Sequence, residues 1–266
     1  MTDRYALIGN PVAHSKSPWI HAEFARATGE DIEYGRIEAP LDGFAGAVDA
    51  FRRGGGKGLN ATLPFKEAAF RYCEGRVTQR AAAGQAVNTL HFRTEAHGDN
   101  TDGVGLVRDL SGNLGLDLEG KSLLLMGAGG AAQAVVGALL DAGAGSLVIA
   151  NRTVAKAQAL AARFPGVIAC GYDALEGRVF DVAINATSAG LSGEAPALPK
   201  GILGKGTLAY DMVYGRETPF LAAARSAGAR AYDGLGMLVE QAAESFFVWR
   251  GVRPETRLLL QKLRAG

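Results

Sequence analysis

The chain has 266 residues, enough for one large domain or two of medium size. Apolar residues make up 48% of it and charged residues 21%, a balance that allows a substantial core and excludes an intrinsically disordered chain. Because the formal net charge is only +1, the chain as a whole has no general attraction for nucleic acid or an anionic membrane. We therefore expect neither as a partner, and any strongly basic site must be local.

The sequence carries no pattern typical of export, membrane insertion or metal binding. Cys73 and Cys170 belong to no C-x-x-C or metal-ligand pattern, so we expect two buried thiols in a reducing compartment. The first residues contain no basic stretch leading into an apolar one, and no apolar run approaches the roughly 18 residues of a membrane span. We expect a soluble, cytoplasmic protein. No ligand spacing, and hence no metal site, is found among His14, His21, His91 and His97.

The first hundred residues alternate between strand and helix patterns. Short apolar runs predict strands over 5–9, 34–37, 57–62 and 87–92. Apolar periodicity predicts helices that begin at Ser17, at Phe44 and just after Pro64. We take Ser17 as the N-cap of the first helix, since Pro18 suits the first helical position. Residues 94–98 are polar and predict a hairpin turn.

Beyond residue 100 strands and helices alternate regularly. Thr101 is expected to cap a helix, and we place the domain boundary there. Strands are predicted over 121–126, 147–151, 179–185 and 207–211, with helices over 131–142, 153–163 and 220–227. Gly234-Leu235-Gly236 is interpreted as a hinge-like stop before a long helical pattern, 237–250, that packs back onto the first domain. The prediction is an α/β protein of two domains, 1–101 plus 237–266 and 102–236.

A glycine-rich turn indicates a dinucleotide site in the second domain. Residues 127–132 read G-x-G-x-x-A between a predicted strand and a predicted helix, the context that makes this motif specific. The first glycine permits the tight turn, the second lets the backbone approach a pyrophosphate, and Ala132 allows close packing of helix on strand. The N–H groups of the helix start then face the negative charge. The candidate cofactor-binding residues here are Gly127, Ala128, Gly129, Gly130 and Ala131.

The next strand indicates which dinucleotide binds. An NAD site usually places an acidic residue about 20 residues after the motif, to bind the ribose 2′-hydroxyl. This chain instead has Asn151-Arg152-Thr153, with Lys156 close behind. A guanidinium can hold a 2′-phosphate through two hydrogen bonds, which a carboxylate would repel. Arg152 could also be a solvated charge, and such turns occur in domains that bind no nucleotide, but the two signals together predict NADP.

Polar residues collect at predicted strand ends, where open α/β sheets bind ligands. The segments are Ser15-Lys16-Ser17, Asn60 to Lys66, Val87-Asn88-Thr89 and Asp99 to Asp102. Together with Gly127 to Ala132, Asn151-Arg152-Thr153, Asn185 to Gly190, Asp211 to Tyr214 and Gly234 to Ala242, they resemble the shikimate dehydrogenase family in order along nearly the whole chain. Two minor departures are Ala61, where the family usually has Val, and Gln85, where Ala is common.

The resemblance implies reduction of 3-dehydroshikimate to shikimate by NADPH, on the way to chorismate and the aromatic amino acids. It also implies an N-terminal α/β substrate domain and a doubly wound, Rossmann-type NADP domain. Lys66 would donate the proton that the reduced ketone needs, and Asp102 would hold Lys66 in position. The alternative for Lys66 is an exposed residue in the first turn of a helix, where a cation is mildly unfavourable. For Asp102 the alternative is an ordinary acidic residue in the first turn of a helix.

The remaining site residues follow from the resemblance. Ser15 and Ser17 resemble the pair that binds the substrate carboxylate. Further substrate contacts are implied for Asn60, Thr62, Asn88, Tyr214 and Gln241. Four residues, by resemblance alone, would border the nicotinamide: Thr187, Ser188, Met212 and Gly236.

Three other functions are considered. A quinate or dual shikimate/quinate dehydrogenase would share this pattern. A catalytically silent NADP-binding regulator would need neither Lys66 nor Asp102. Methylene-tetrahydrofolate dehydrogenases share a similar two-domain plan, but the segments around Ser15 and Asn60 do not fit a pterin. The sequence allows both a monomer and a homodimer.

Overall fold

The computed structural model describes residues 2–191 and 193–265. The chain forms two compact units, one up to Gly105 and again from Leu238 onward, the other Leu106–Met237. Each unit has its own sheet. Within the described residues, no helix combines the length and the apolar character that a membrane crossing requires.

The elements follow one another in a largely alternating order. The strands are β1 Asp3–Gly9, β2 Ile32–Glu38, β3 Gly56–Ala61, β4 Thr89–Phe92, β5 Ala96–Asp99, β6 Ser122–Met126, β7 Ser146–Ala150, β8 Ile168–Cys170, β9 Val182–Asn185, β10 Leu208–Asp211 and β11 Arg230–Asp233. The α-helices are α1 Ser17–Thr28, α2 Phe44–Arg53, α3 Lys66–Tyr72, α4 Gln79–Gly84, α5 Asp102–Arg108, α6 Gly130–Asp141, α7 Val154–Ala161, α8 Pro219–Ser226, α9 Leu235–Arg250 and α10 Arg257–Ala265. A π-helical turn, Asp109–Asn113, follows α5 directly.

The sheet of the first unit brings the polar segments to one edge. Its order is β2-β1-β3-β4-β5, with β1 parallel to β2 and β3, and β4 antiparallel to β3 and β5. In its register Asn60 lies opposite Thr89, and Thr89 lies opposite Asp99. The carboxyl ends of β1, β3 and β5 and the amino end of β4 therefore share an edge. The loops that leave this edge lead into α1, α3 and α5.

Helix α9 completes the core of the first unit. From Leu238 onward it belongs to this unit, so the prediction that the chain returns to its first domain is confirmed. Phe246 packs edge-on against Phe24 of α1. Trp249 stacks on Tyr5, and its indole N–H donates to the carbonyl of Leu90 at 3.0 Å. The polar tip of this large ring is thus satisfied inside the core.

The second unit has the predicted Rossmann-type topology. Its six strands are all parallel, in the order β8-β7-β6-β9-β10-β11. Counted within the unit this is 3-2-1-4-5-6, the order of the doubly wound nucleotide-binding fold. The order reverses between β6 and β9, where Met126 is the register partner of Asn185. In such sheets ligands bind outside the carboxyl ends of the strands at this reversal.

Two predicted helix boundaries are wrong. Ser17 is the first residue of α1, not its N-cap; Lys16 holds the cap position, and no side chain caps the helix. Gly234-Leu235-Gly236 is not a stop, because α9 begins at Leu235. Gly236 is required for another reason: a Cβ there would lie 1.8 Å from Oδ1 of Asp109.

Five of these strands and α-helices, namely β5, β8, β11, α4 and α10, were not predicted from the sequence, and one turn is shorter than expected. Strand β5 begins at Ala96, which leaves only residues 93–95 for the hairpin turn. Strands β8 and β11 are short and only partly buried, so they lack the apolar runs that mark the other strands of this sheet.

A fully buried histidine lies in the core of the first unit. The ring of His21 stacks on that of Tyr34 with 4.1 Å between centroids. Among the described residues, neither ring nitrogen has a hydrogen-bond partner of acceptable geometry. Burial lowers the pKa of His21 to about 3, against a weaker opposing effect of Asn60. His21 is therefore neutral in the folded protein at ordinary pH.

This neutral histidine should make the first unit sensitive to acid. The unfolded chain protonates His21 below about pH 6.5, whereas the folded chain does so only near pH 3. The neutral His21 side chain therefore makes its full contribution to the free energy of unfolding above about pH 6.5. Between there and about pH 3, each unit of falling pH lowers the free energy of unfolding by about 1.4 kcal/mol. Between about pH 7 and pH 5 the wild type should lose about 2 kcal/mol more than a His21→Phe variant. Urea unfolding followed by the fluorescence of Trp19 and Trp249, both in the first unit, measures the difference; equal losses would contradict this account.

Candidate active site

A lysine–carboxylate pair lies at the polar edge of the first sheet. Lys66 is the first residue of α3, and Asp102 is the first residue of α5. The ammonium of Lys66 donates to Oδ2 of Asp102 at 2.7 Å. The side chains are 18% and 7% exposed, so the pair is largely shielded and Lys66 still reaches solvent. A partly buried ammonium that is held by one carboxylate can donate a proton to a ligand.

Asn88, just before β4, fixes the other oxygen of that carboxylate. Its Nδ2 donates to Oδ1 of Asp102 at 3.0 Å and to the Thr101 hydroxyl at 2.9 Å. Its Oδ1 accepts the backbone N–H of Thr101 at 2.8 Å. Because a backbone N–H can only donate, this contact sets which way the amide faces and turns the NH₂ group toward Asp102. Both oxygens of the carboxylate are thereby held.

A buried network that the sequence did not reveal supports Asn88. The Ser245 hydroxyl, on α9, lies 2.8 Å from that of Thr89 and 3.1 Å from that of Thr101. Thr89 in turn donates to Oδ1 of Asn88 at 2.9 Å. Ser245 is four residues after Gln241 and therefore on the same face of α9, a spacing that could have pointed to it.

Asn60 belongs to this network. Its Oδ1 accepts from the Tyr34 hydroxyl at 2.7 Å, and its Nδ2 donates to the Ser245 hydroxyl at 3.0 Å. The same nitrogen also lies 3.1 Å from the Asn88 carbonyl and from the Thr89 hydroxyl. The Asn60 amide thus has protein partners on both its oxygen and its nitrogen, and these partners belong to the network that supports Asn88. The substrate contact predicted for Asn60 stays a prediction.

The two serines predicted to bind the substrate carboxylate lie where the loop after β1 enters α1. The Ser15 hydroxyl donates to that of Ser17 at 3.1 Å and accepts the Ser17 N–H at 3.2 Å. Arg36, on β2, donates to the Ser15 carbonyl at 2.6 Å and brings a positive charge to this loop. Thr62 follows β3 at the same sheet edge and is half-buried. Two adjacent hydroxyls beside a guanidinium suit an anionic group.

The last two predicted substrate residues lie in different units. Gln241 is in the first unit, where Oε1 accepts from Nδ2 of Asn88 at 3.3 Å and Nε2 donates to the Leu238 carbonyl at 2.8 Å. Tyr214 is in the second unit, in the loop that follows β10, and is half-buried.

The glycine-rich turn of the second unit has the geometry that a phosphate needs. Gly127 has φ +108°, and a Cβ there would come within 3.2 Å of the Ala186 backbone. Gly129 is the N-cap of α6 and faces open space. No side chain caps this helix and no acidic residue stands in its first turn. The first N–H groups of α6, which include those of Gly130 and Ala131, are therefore open to an anion. Ala128 is buried within the turn.

The loop after β7 is basic and exposed. Arg152 and Lys156 flank the start of α7, and both are exposed. Asn151 donates from its side chain to the Thr153 carbonyl at 2.9 Å and so shapes the loop. Thr153 is the N-cap of α7, but its hydroxyl makes no capping bond, and the first turn has no acidic residue. These features fit a 2′-phosphate.

Three of the four residues predicted to border the nicotinamide lie just after the ends of β9 and β10. Thr187 and Ser188 follow β9, and Met212 follows β10 at the same sheet edge. Gly236 lies in the first turn of α9, against Asp109. No cluster of three or more potential metal ligands occurs in the part of the chain that the structure describes.

Comparison with known proteins places this arrangement in a family. Family models match residues 7–90, as the shikimate dehydrogenase substrate binding domain, residues 109–192, as shikimate/quinate 5-dehydrogenase, and residues 234–264, as the shikimate 5′-dehydrogenase C-terminal domain. A shikimate dehydrogenase (NADP(+)) of Aromatoleum aromaticum is 58% identical over 98% of this chain and 97% of its own length.

Solved structures agree with these sequence matches. An Ael1 enzyme from Pseudomonas putida has a TM-score of 0.92 at 48% identity, covering 98% of each chain. The shikimate 5-dehydrogenase of Thermus thermophilus, solved in complex with NADP(H) and shikimate, has a TM-score of 0.89 at 34% identity, covering 99% of each chain. The chain belongs to the shikimate dehydrogenase family.

Proposed function

We propose that the chain catalyses the reversible, NADPH-dependent reduction of 3-dehydroshikimate to shikimate, a step toward chorismate and the aromatic amino acids. The observation that carries this proposal is the Lys66–Asp102 pair, with 2.7 Å between the ammonium and the carboxylate, in a member of this family. Reduction of a ketone requires a proton donor beside the carbonyl oxygen. Lys66 is held where it can serve as that donor.

Lys66 supplies the proton. As the ketone is reduced, negative charge develops on its oxygen, and the nearby ammonium stabilises that charge. The N–H bond of Lys66 then breaks as the new O–H bond of the product forms, which leaves a neutral amine that regains a proton from solvent. In the reverse direction the neutral amine accepts the proton of the substrate hydroxyl.

Asp102 and Asn88 keep the donor in position. Asp102 binds Lys66 through one oxygen, and Asn88 holds the other oxygen, so the carboxylate cannot rotate away. We assign the substrate carboxylate to Ser15 and Ser17, whose hydroxyls lie 3.1 Å apart. We assign the ring hydroxyls to Thr62, Asn88, Asp102 and Gln241, and a further contact to Tyr214.

The second unit holds NADP in this proposal. The open N–H groups at the start of α6 would bind the pyrophosphate, and Arg152 with Lys156 would bind the 2′-phosphate. Thr187, Ser188, Met212 and Gly236 would border the nicotinamide. When bound, NADPH supplies the hydride that the ketone carbon receives. The proposed substrate domain is residues 1–101 plus 237–266, and the proposed cofactor domain is residues 102–236. Asp102 stands at this boundary, in the compact unit that runs to Gly105, and Tyr214 is a substrate contact assigned from the cofactor domain.

The compartment proposed for this enzyme is the cytoplasm. Cys73 is buried and Cys170 half-buried, and both are free thiols, as is usual in a reducing environment. Burial raises the pKa of the Cys73 thiol to about 11, so this side chain is not a reactive thiolate.

One assay of the purified protein tests the activity. Shikimate and quinate are each offered with NADP and with NAD, and the absorbance of the reduced nicotinamide is followed. We expect the highest kcat/KM for shikimate with NADP. A preference for quinate would make the enzyme a quinate dehydrogenase. A preference for NAD would contradict the role of Arg152. A protein that binds NADP but reduces none of it would be a silent regulator.

A further inference from the structure

A buried carboxylate and a buried amide face each other between β9 and β10. Asp211 and Asn185 are the last residues of these strands and are register partners. Both side chains are fully buried, and Nδ2 of Asn185 donates to Oδ2 of Asp211 at 3.1 Å. Neither residue has a role in the chemistry described above. A buried carboxylate needs hydrogen-bond donors for both of its oxygens. Asp211 therefore holds the groups that donate to it in fixed positions.

Asn185 transmits this contact to the loop after β9. Its Oδ1 accepts the backbone N–H of Thr187 at 3.1 Å and the Thr187 hydroxyl at 2.7 Å. An amide can face Thr187 with its oxygen only if its NH₂ group faces an acceptor on the other side. Asp211 is that acceptor, so it fixes the orientation of the Asn185 amide.

Asp211 also holds the loop after β10. Its Oδ1 accepts the backbone N–H of Val213 at 3.0 Å, which sets the turn that contains Met212. Its Oδ2 accepts the Thr218 hydroxyl at 2.6 Å, and Thr218 is the N-cap of α8. One carboxylate therefore ties together two loops and a helix start.

We propose that the Asp211–Asn185 pair is the positioning device for the nicotinamide half of the cofactor. The two loops that it fixes carry Thr187 and Met212, the residues assigned to the nicotinamide. The pyrophosphate and the 2′-phosphate are assigned to the segments that follow β6 and β7. This inference rests on the proposed function, because it takes NADP as the ligand. Asp211 and Asn185 touch no reacting atom and act through the loops that they hold.

Exchanging the two residues tests the pair. Asp211→Asn would place two NH₂ groups face to face, and Asn185→Asp would place two carboxylates face to face. Each single variant should lower kcat/KM for NADP by roughly 10- to 150-fold, the range for loss of a hydrogen bond to a charged group. The double exchange Asn185→Asp/Asp211→Asn restores one donor and one acceptor, and should recover at least about tenfold over either single variant.

A cofactor fragment separates positioning from general damage. Calorimetry should show that 2′-phospho-ADP-ribose, which lacks the nicotinamide, binds wild type and Asp211→Asn with affinities within about twofold. Asp181→Asn is the matched control: this exposed carboxylate precedes β9 at the opposite end and accepts the Ser122 N–H at 2.8 Å. It should leave kcat/KM unchanged.

Two results would overturn the proposal. Equal loss of fragment and NADP binding in Asp211→Asn would make the pair a general stabiliser of the unit. A double exchange no better than the worse single variant would show that the pairing is not what matters. Failure of the proposed function is recognised separately, as a wild-type protein that binds the fragment and yet reduces no NADP with shikimate.

Discussion

Replacing Lys66 with alanine is expected to lower kcat roughly 100- to 10,000-fold, the usual contribution of a general acid. KM for shikimate should change much less, because the role of Lys66 is to stabilise charge that develops only in the transition state. Steady-state kinetics in both directions measures the two parameters. A kcat within about tenfold of wild type together with a steep rise in KM would make Lys66 a binding residue.

Two companion variants sharpen this test. Lys66→Arg keeps a positive charge beside Asp102, but a guanidinium does not give up its proton near neutral pH. It should therefore keep KM and still lose most of kcat, whereas an active Lys66→Arg enzyme would show that charge alone suffices. Lys57→Ala is the matched control, since Lys57 is an exposed lysine of the same unit on β3. It should behave like wild type.

Replacing Arg152 with alanine is expected to weaken NADP binding roughly 10- to 150-fold and to leave NAD almost unaffected. A hydrogen bond to a charged group contributes about 1.5–3 kcal/mol, and NAD lacks the phosphate that Arg152 would bind. The ratio of kcat/KM for the two cofactors is the quantity to measure. A variant that loses both cofactors equally would make Arg152 a structural residue and remove the main physical support for NADP.

The control for this variant lies in the same sheet. Arg230 is an exposed arginine on the edge strand β11, whereas Arg152 follows β7 near the other edge. Arg230→Ala removes the same charge from the unit, so it should leave the cofactor ratio unchanged. A shift in the ratio with Arg230→Ala would mean that the overall charge of the unit, and not a local contact, selects the cofactor.

The sequence predicted those features that depend on local chemistry. The turn at Gly127 combines glycines, an apolar strand and a helix start, and each is visible in consecutive residues. The doubly wound sheet and the return of the chain to the first unit were predicted because buried parallel strands are continuous apolar runs and α9 is long. The pairing of Lys66 with Asp102 came from the family resemblance, and the structure supplies the 2.7 Å contact.

The features that the sequence did not predict depend on contacts between residues that are distant in sequence. Ser245 supports Asn88 from α9 through Thr89, which lies 156 residues before it in the chain. Ser17 looked like an N-cap because Pro18 follows it, yet its own N–H donates to the Ser15 hydroxyl two residues earlier and Ser17 is already the first helical residue. Gly236 looked like a helix stop, because a sequence does not show that Asp109 packs against its α-carbon. Single residues in such positions cannot be interpreted without the fold.

The fate of the transferred hydrogen tests the central claim most directly. The purified protein is given 3-dehydroshikimate and NADPH that carries deuterium at the transferable position, and the product is examined by NMR and mass spectrometry. We expect shikimate with one deuterium on the former carbonyl carbon and an ordinary hydrogen on the new hydroxyl, and we expect almost none of it from Lys66→Ala in the same time. Unlabelled shikimate, deuterium at another carbon, or equal product from Lys66→Ala would contradict the assignment of the reaction or of its proton donor.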